Sequence, residues 1–373
     1  MYEHEFPLDP DVLHLNHAAV APWPRRAVEA VTAFARENMH QGSVAYERWL
    51  QAENELRGQL CTLINARSSD EIALLKSTSE ALSVVAHGLD WQDGDNLVIS
   101  DQEFPSNRIV WESLQPRGVA VRVAQLGEFD TPEEALFARV DERTRLISIS
   151  SVQYGTGLRL DLEQIGRFCR KHDLLFCVDG IQSIGALPMD VQKIHADFVM
   201  ADGHKWMLGP EGLALFYCRD SVRDRLQLHQ YGWHMVEHCG DFDRQDWQIA
   251  RSARRFECGS PNMLGIHALR ASLSLIGELG MERISRELLE RTAFLSEYFV
   301  NNNDRFELLS PRDPARRAGI VTFRPRTQSP AELHTRLRDH GVVCALRGGG
   351  VRFSPHFYTP QSRMEQAVAL LKD

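Results

Sequence analysis

Short apolar runs alternate with helical stretches through the middle of this 373-residue chain, and no other feature limits its fold as strongly. Each run has four or five residues and is rich in Val, Ile, Leu and Phe, which is typical of strands buried on both faces. A chain that alternates such strands with helices folds into a mostly parallel sheet covered by helices. We therefore predict an α/β fold whose central strands cover residues 96–100, 119–123, 145–149, 174–178, 197–200 and 213–217.

The segments on either side of this alternating region are mostly helical, because their apolar residues recur at the spacing of a helix turn. The helices expected there cover residues 25–39, 46–64, 265–279, 281–301 and 361–371. Two further strands are expected near residues 320–324 and 351–354. We predict a large α/β domain over residues 21–260 and a smaller C-terminal α+β domain over residues 261–373.

The composition excludes several classes of protein. No stretch approaches the roughly 18 uninterrupted apolar residues of a membrane helix, and the first ten residues lack the basic and apolar regions of a secretion signal. The net charge of −9 repels nucleic acids and anionic membranes. Seven scattered cysteines without a C-x-x-C pair disfavour a disulfide framework and a thiolate zinc site. We expect a soluble, cytoplasmic protein with reduced cysteines and no metal. Its expected partner is a small molecule, not a nucleic acid or a membrane.

Lys205 directly follows one of the predicted strands. In a parallel sheet, ligands bind at the carboxyl ends of the strands, so polar residues at these ends are candidates for chemistry. Lys205 comes shortly after the run at 197–200, within Asp202-Gly-His-Lys205, and Gly209 and Gly212 follow it. Burial near other positive groups favours the neutral amine, which can form a Schiff base near neutral pH. Considered alone, Lys205 is equally consistent with a structural or ion-pairing lysine.

Two other segments place polar groups at the same edge of the sheet. Asp179 follows the run at 174–178, one β/α unit before Lys205. A carboxylate there can keep a pyridine nitrogen protonated through a charge-assisted hydrogen bond, or it can cap the following helix. Lys76-Ser-Thr-Ser-Glu-Ala81 opens a helical stretch, and the hydroxyls and amides of a helix N-terminus attract phosphate. A plain helix cap explains that segment equally well.

Taken together, five motifs in chain order resemble a known family. They are Ser77-Thr-Ser-Glu-Ala81, Asp179-x-x-Gln182, Gly203-His-Lys-x-x-x-Gly209-Pro-x-Gly212, Gly259-Ser-Pro-Asn262 and Arg352-Phe-Ser-Pro-His-Phe-Tyr358. Over nearly the whole chain they resemble the class V aminotransferase family of fold-type-I pyridoxal 5′-phosphate (PLP) enzymes, which includes cysteine desulfurases and isopenicillin N epimerase. The resemblance implies the fold-type-I architecture, a mostly parallel central sheet with flanking helices plus a smaller C-terminal α+β domain.

The resemblance also implies roles for the matching residues. Lys205 would form the Schiff base and then move protons, Asp179 would pair with the pyridine nitrogen, and Gln182 would contact the ring hydroxyl. Phe104 would stack on the cofactor ring. The phosphate would be held by Thr78, Ser79 and His204, with Ser260 reaching across from the second subunit of a homodimer. The residues implied in substrate binding are Asn16, His17, Gln153 and Arg352, and residues 1–20 would close over the site.

The chain departs from the desulfurase pattern around this predicted site. Desulfurases usually have a histidine where this chain has Phe104, and a cysteine on a mobile loop where it has Arg347-Gly-Gly-Gly-Val-Arg352. Cys344 precedes that loop in an apolar stretch, so we expect a core thiol. Asp202 replaces a phosphate-binding serine. Because an acid repels phosphate, we expect Asp202 to point away from it or to bond to the backbone.

His234-Met-Val-Glu-His238 matches a pattern of helical zinc peptidases. Glycines at positions 232 and 240 bracket the motif in a stretch with poor helical character, so we expect no zinc there. The segment around Tyr231, Trp233 and His234 is then either a wall of the substrate pocket or a surface loop.

The sequence thus predicts a PLP-dependent enzyme that acts on a small amino acid through the Lys205 Schiff base, Cα deprotonation and a quinonoid intermediate. An aminotransferase-like reaction is the main prediction. A carbon–sulfur or other β-lyase is the first alternative and an amino-acid epimerase the second. The non-enzymatic alternative is a catalytically dead binding or scaffold protein, and the retention of Lys205, Asp179, Gln182 and Arg352 argues against it.

Overall fold

The computed structural model describes residues 2–371. Its helices are α1 (Arg25–Gln41), α2 (Tyr46–Leu63), α3 (Thr78–Gly88), α4 (Ser106–Glu112), α5 (Pro132–Phe137), α6 (Leu162–Lys171), α7 (Asp220–Arg223), α8 (Met263–Leu279), α9 (Met281–Asn301), α10 (Pro330–Asp339) and α11 (Gln361–Ala369). Its strands are β1 (Leu13–His14), β2 (Ile72–Leu75), β3 (Asn96–Ser100), β4 (Ala120–Ala124), β5 (Thr144–Ser150), β6 (Leu175–Asp179), β7 (Phe198–Asp202), β8 (Ala214–Cys218), β9 (Phe306–Leu308), β10 (Val321–Pro325), β11 (Val342–Val343), β12 (Ala345–Arg347) and β13 (Gly350–Phe353).

A seven-stranded sheet forms the centre of the molecule, in the order β2-β8-β7-β6-β5-β3-β4. Strands β4, β3, β5, β6 and β7 pair in parallel, whereas β8 is antiparallel to both of its neighbours. Each of the six predicted runs matches an observed strand within two residues at either end. The predicted fold class, a mostly parallel α/β sheet with a second, smaller domain, is confirmed. The edge strand β2 was not among the predicted strands.

The central strands are continuously apolar because both faces of the sheet are buried. In β6, Phe176 and Val178 point into one hydrophobic cluster, whereas Leu175 and Cys177 point into the cluster on the opposite face. Successive side chains of a strand alternate between faces, so a strand covered on both sides needs an apolar residue at every position. The first polar residue of β6, Asp179, is therefore also the residue at which the strand emerges from the core.

The free edge of β2 is covered by a buried ion pair. The backbone N–H of Leu74 donates to Oε1 of Glu257 at 2.8 Å, and Nη1 of Arg57 donates to the carbonyl of Ile72 at 3.0 Å. Arg57 also binds Glu257 through two hydrogen bonds of 2.6 and 2.7 Å and pairs with Glu53. Exposed strand edges favour unwanted pairing with other chains. Here side chains satisfy the backbone groups that another strand would otherwise bind.

The smaller domain contains a four-stranded antiparallel sheet in the order β12-β13-β10-β9. Its core joins residues of this sheet to α9, α10 and α11. The N-terminal segment attaches to the same domain, because β1 pairs in parallel with β11. Within residues 2–371, no helix has the length and apolar character needed to cross a membrane.

Helix α8 packs with the large domain. Leu269 and Ile276 share one hydrophobic cluster with Leu56 and Leu60 of α2. The predicted boundary at residue 261 assigned α8 to the small domain. The apolar pattern of a helix shows that one of its faces is buried, but not which domain core that face joins. We propose that the small domain begins with α9 instead.

We predict that Arg57→Met lowers the free energy of unfolding by about 3–5 kcal/mol, because it leaves Glu53 and Glu257 buried without a compensating charge. Urea denaturation measures the loss. Arg48→Met is the matched control, since it removes the partner of Glu37 from an exposed ion pair and should cost less than about 1 kcal/mol. Equal small losses in both variants would show that the buried pair does not stabilise the edge of β2.

Candidate active site

A cavity of about 340 Å³ opens at the carboxyl end of the central sheet. Its volume is in the range of small-molecule sites. The cavity brings together eight of the residues that the sequence singled out: Thr78, Ser79, Phe104, Asp179, Gln182, His204, Lys205 and Arg352. The ends of β6 and β7, the start of α3, the N-terminal segment and the β12–β13 hairpin all contribute to its wall.

The amine of Lys205 and the carboxyl group of Asp179, which ionise with opposite charge, are buried in the same cavity. Lys205 is 8% exposed, and burial lowers the pKa of its amine to about 8. Asp179 is 1% exposed, and burial raises the pKa of its carboxyl group to about 7, although its Oδ1 accepts a hydrogen bond of 3.0 Å from the N–H of Ile181. Each group partly opposes the pKa shift of the other. Both can therefore gain or lose a proton near neutral pH, as acid–base chemistry requires.

Gln182 holds the N-terminal segment against the cavity. Its amide nitrogen donates to the carbonyl of Ala18 at 3.0 Å, and its amide oxygen accepts from the indole N–H of Trp206 at 2.9 Å. One amide hydrogen remains for a ligand. Ala18, Ala19 and Val20 line the cavity, so part of the segment 1–20 contacts the site. Closure of this segment over a substrate stays a prediction.

The start of α3 forms one end of the cavity, and its polar groups are suited to binding an anion. Ser77 caps the helix by accepting from the N–H of Glu80. Oγ1 of Thr78 accepts from the N–H of Asp202 at 3.1 Å, which ties the helix start to the end of β7. The hydroxyl of Ser79 donates to Ser106 at 2.8 Å. A helix N-terminus with hydroxyls and a nearby histidine fits a phosphate group.

Asp202 contacts His204 at this end of the cavity. Oδ1 of Asp202 lies 2.9 Å from Nδ1 of His204, and both side chains are largely buried. Both atoms are buried, and neither has a hydrogen-bond partner within residues 2–371, so their contact is electrostatic. Because Nδ1 faces the carboxylate, Nε2 is the imidazole nitrogen that remains for a ligand.

Arg352 is buried and forms no ion pair with the other described residues. It is 2% exposed, its Nη1 donates to the carbonyl of Tyr154 at 2.7 Å, and its Nε has no partner in the described part of the chain. Burial lowers its pKa to about 10, and the positive charge of Arg347 adds to that effect. A buried arginine that lacks an acid partner fits a carboxylate ligand, which it can bind through two hydrogen bonds.

Two predicted substrate contacts lie outside the cavity. His17 is fully buried, with Nδ1 at 2.8 Å from the carbonyl of Ser354 and Nε2 at 2.7 Å from the hydroxyl of Tyr358. Gln153 is also fully buried, and its Nε2 donates to Ser100 and Glu103. Their polar groups point into the protein interior, so we no longer expect either residue to contact the substrate.

Asn16 and Ser260 are likewise outside the set of residues that line the cavity. Asn16 forms an isolated bridge with Ser354, and its Oδ1 is buried without a partner within residues 2–371. Ser260 is exposed and lines a separate depression next to Gly259. Its contact with the phosphate of a second subunit stays a prediction.

Tyr154 is a cavity residue that the sequence analysis missed. It packs edge-on against Phe104, with 5.1 Å between the ring centroids, and the Phe104 ring centroid lies 5.6 Å from Nζ of Lys205. Tyr154 follows β5 by four residues, so the rule that ligands bind at strand ends could have identified it. Gln153 was chosen instead, one position away and on the opposite side of the backbone.

The β12–β13 hairpin contains the segment 347–352, which the sequence analysis compared with the mobile loop of desulfurases. Arg347 pairs with Gly350, so only Gly348 and Gly349 lie between the strands. Both glycines have positive φ angles, of 59° and 79°, which is the signature of a type I′ turn. Cys344 lies in the core of the small domain as expected, and burial raises the pKa of its thiol to about 12. No cysteine is among the described residues that line the cavity.

The H-x-x-E-H motif does not form a helix, since only residues 233–235 make one turn of 3₁₀ helix. His234 is buried between Glu53 and Glu257, at 3.8 and 3.7 Å from their carboxylate oxygens. These three side chains could in principle surround a metal ion. Arg57 already pairs with both carboxylates, so a metal ion there would compete with a buried ion pair. Tyr231 and Trp233 line a separate surface depression.

Comparison with known proteins identifies the family. The model of the family described as Aminotransferase class-V matches residues 13–359. A probable cysteine desulfurase of Methanothermobacter thermautotrophicus is 31% identical over 383 residues, covering 97% of this chain and 94% of the relative.

Solved structures agree on the fold. A cysteine desulfurase from Thermococcus onnurineus NA1 superposes with a TM-score of 0.88 at 24% identity, covering 100% of this chain and 96% of the other. The cystine C–S lyase C-DES, solved with its reaction product cysteine persulfide, superposes with a TM-score of 0.91 at 24% identity, with 99% of both chains covered. The chain belongs to the class V aminotransferase family, whose members are PLP-dependent enzymes of fold type I.

Proposed function

We propose that this class V enzyme is a carbon–sulfur lyase that cleaves the Cβ–S bond of a cysteine-derived amino acid without a cysteine nucleophile of its own. The observation that carries the proposal is the combination of Lys205, Asp179 and Arg352 in one cavity with a two-residue turn where a thiol-bearing loop would otherwise lie. The names of the relatives, cysteine desulfurase and cystine C–S lyase, favour this reaction over the aminotransferase-like one that we predicted first.

The residues of the cavity fit PLP. The amine of Lys205 would hold its aldehyde carbon, Asp179 its ring nitrogen, Gln182 its ring hydroxyl and Phe104 the face of its ring. Thr78, Ser79 and His204 would hold its phosphate. When bound, PLP supplies an aldehyde that condenses with amines and a ring that withdraws electrons from Cα.

The protein's own groups then orient the substrate and move protons. Arg352 binds the α-carboxylate, which places the Cα–H bond beside Nζ of Lys205. With its pKa near 8, Nζ is neutral in an appreciable fraction of molecules near neutral pH and can accept the Cα proton. The same nitrogen can return the proton to the departing sulfur. Burial of the site excludes water while these protons move.

The atoms of the proposed reaction balance without an oxidant or reductant. The Cα–H and Cβ–S bonds break, and the sulfur leaves as a thiol or persulfide that carries the proton. The remaining three-carbon enamine takes up water and releases pyruvate and ammonia. An aminotransferase instead yields a keto acid that retains all substrate carbons, and an epimerase releases nothing. The products therefore discriminate among the three alternatives.

We further propose a cytoplasmic homodimer in which Ser260 completes the phosphate site of the other subunit. The homodimer is supported by the exposure of Ser260 on the surface of the single chain. The cytoplasmic location is supported by the seven cysteines, which are all free thiols, as a reducing compartment favours.

We expect Lys205→Ala to abolish release of sulfide or thiol, pyruvate and ammonia from a panel of cysteine-derived amino acids. Absorbance of the PLP-loaded enzyme near roughly 410–430 nm should be lost on treatment of the wild type with borohydride and should be absent or shifted in the variant. Lys171→Ala, at an exposed position on α6, is the control and should keep full activity. Undiminished turnover by Lys205→Ala would contradict the proposal, as would a wild-type product that is a keto acid retaining the sulfur and all substrate carbons, formed without release of sulfide, thiol or ammonia.

We expect Cys344→Ala to keep at least half of the wild-type kcat, because a buried thiol with a pKa near 12 supplies almost no thiolate. Steady-state sulfide release measures the activity, and thermal unfolding reports the cost of the small cavity that the variant leaves. Complete loss of activity in a variant that is still folded would instead indicate a desulfurase that uses Cys344.

We expect Asp202→Asn to weaken PLP binding to the apoprotein roughly 10- to 100-fold, because it removes the carboxylate whose Oδ1 lies 2.9 Å from Nδ1 of His204 and orients the imidazole. Fluorescence titration measures the dissociation constant. Pyridoxal, which lacks the phosphate, is the matched ligand and should bind the variant and the wild type equally. A similar loss for both ligands would show that Asp202 acts on the site as a whole and not through the phosphate.

A further inference from the structure

Glu103 is a buried carboxyl group that the proposed reaction does not use. Its side chain belongs to a residue that is 7% exposed. Oε1 accepts hydrogen bonds from the hydroxyl of Ser100 at 2.6 Å and from the amide of Gln153 at 3.2 Å. Oε2 accepts from the amide of Asn107 at 2.8 Å and from the hydroxyl of Ser150 at 2.6 Å. These donors are neutral groups, and together they offset the cost of burying a carboxylate.

The position of Glu103 in the sheet is one where ligands are expected to bind. From β3, the next strand along the chain, β4, lies on one side and β5 lies on the other. Open α/β sheets bind ligands at such a switch point, outside the carboxyl ends of the strands. The pairing of β3 with β5 runs from Asn96 to Val98, and further along β5 the N–H of Ser150 donates to both oxygens of Glu103. The carboxylate therefore joins the two strand ends where the cavity opens.

The residue after Glu103 is Phe104, whose ring forms part of the cavity wall. Phe104 is 39% exposed, so packing within the chain restrains its ring weakly, mainly through the edge of Tyr154. The backbone below the ring is better fixed. The N–H of Asn107 donates to the carbonyl of Phe104 at 2.9 Å, while the side chain of Asn107 donates to Glu103. Glu103 and Asn107 thus hold the backbone of Phe104 from both sides.

The same carboxylate holds the segment that carries the second ring of the wall. Ser150 donates to Glu103 through its N–H and its hydroxyl, and Gln153 donates through its amide. Tyr154 follows directly, and its carbonyl accepts from Nη1 of Arg352 at 2.7 Å. One buried side chain therefore anchors both segments that present an aromatic ring to the cavity.

An amide could not replace this carboxyl group without the loss of a contact. Oε1 faces the amide of Gln153, and Oε2 faces the amide of Asn107. A glutamine in place of Glu103 would bring its own NH₂ group opposite one of these two donors in either orientation. The variant Glu103→Gln therefore disturbs the anchor while it keeps the volume of the side chain.

We propose that Glu103 is a positioning residue, which fixes Phe104 and Tyr154 so that their rings can bind the pyridine ring of the cofactor beside Lys205. Nζ of Lys205 lies 5.6 Å from the Phe104 ring centroid, so a displaced ring would no longer face the position of the cofactor's aldehyde carbon. The inference concerns the binding of PLP and does not depend on which reaction follows.

Ligands with and without the pyridine ring test the inference. We expect Glu103→Gln to weaken the binding of both PLP and pyridoxal to the apoprotein roughly 10-fold, because both ligands contact the wall through their ring. Inorganic phosphate, which has no ring, should change less than about twofold. Fluorescence titration measures the first two dissociation constants and calorimetric titration the third. Glu112→Gln, which removes the partner of Arg108 from an exposed ion pair on α4, is the control and should change none of them.

A double-mutant cycle distinguishes positioning from a general loss of structure. In a background that carries Phe104→Ala and Tyr154→Ala, Glu103→Gln should weaken PLP binding less than about twofold, because the rings through which it acts are absent. Arg57→Met, which should destabilise the chain far from the cavity wall, should leave PLP affinity unchanged.

Three results would overturn the inference. They are an unchanged PLP affinity in folded Glu103→Gln, an equal loss for phosphate and for the two ring ligands, and a roughly 10-fold loss of PLP affinity that persists without the two rings. Ser150→Ala keeps the carboxylate and removes one hydroxyl donor, so it provides the same test if Glu103→Gln does not fold. We expect it to weaken PLP and pyridoxal about two- to threefold and to leave phosphate binding unchanged. Equal effects on all three ligands would again contradict the positioning role.

Discussion

The chemistry of this protein depends on burying an amine and a carboxyl group of opposite charge in one cavity. In water, Lys205 would be almost wholly protonated and Asp179 almost wholly ionised at neutral pH. Burial lowers the pKa of the amine to about 8 and raises that of the carboxyl group to about 7. Both shifts favour the neutral form of the group, because a charge is less well solvated in the interior than in water. The other residues of the cavity surround this pair.

The residue after Lys205 links the pair to the rest of the molecule. The indole N–H of Trp206 donates to Gln182, which in turn holds the carbonyl of Ala18, while the carbonyl of Trp206 accepts from Nε2 of His356 at 3.1 Å. The N–H of Phe357 donates to Nδ1 of His356, so the tautomer with hydrogen on Nε2 is the one that satisfies both contacts. The small domain therefore contacts the backbone of Trp206 directly, whereas the N-terminal segment is connected to the Trp206 side chain through Gln182.

The sequence predicted where the strands around the site end, but not which of the side chains beyond those ends point into the cavity. Strand ends can be located from the apolar runs, because a strand buried on both faces becomes polar where it leaves the core. Asp179 and Lys205 were found in this way. Beyond the strand ends, whether a side chain enters the cavity or the core depends on backbone turns that leave no periodic signal. Gln153 and Tyr154 are neighbours in sequence, yet one is buried in a polar network and the other lines the cavity.

The length of the turn between β12 and β13 determines whether it could carry a nucleophilic cysteine to the substrate. A nucleophilic cysteine must approach the substrate sulfur and then withdraw with it, which requires a loop long enough to move. The turn between β12 and β13 has two residues, with Gly348 packed against Gly155, and is too short to form such a loop. In the proposed reaction, the sulfur that leaves Cβ would then depart by diffusion, because no cysteine is among the described residues that line the cavity. The protein would bind the departing group through non-covalent contacts alone.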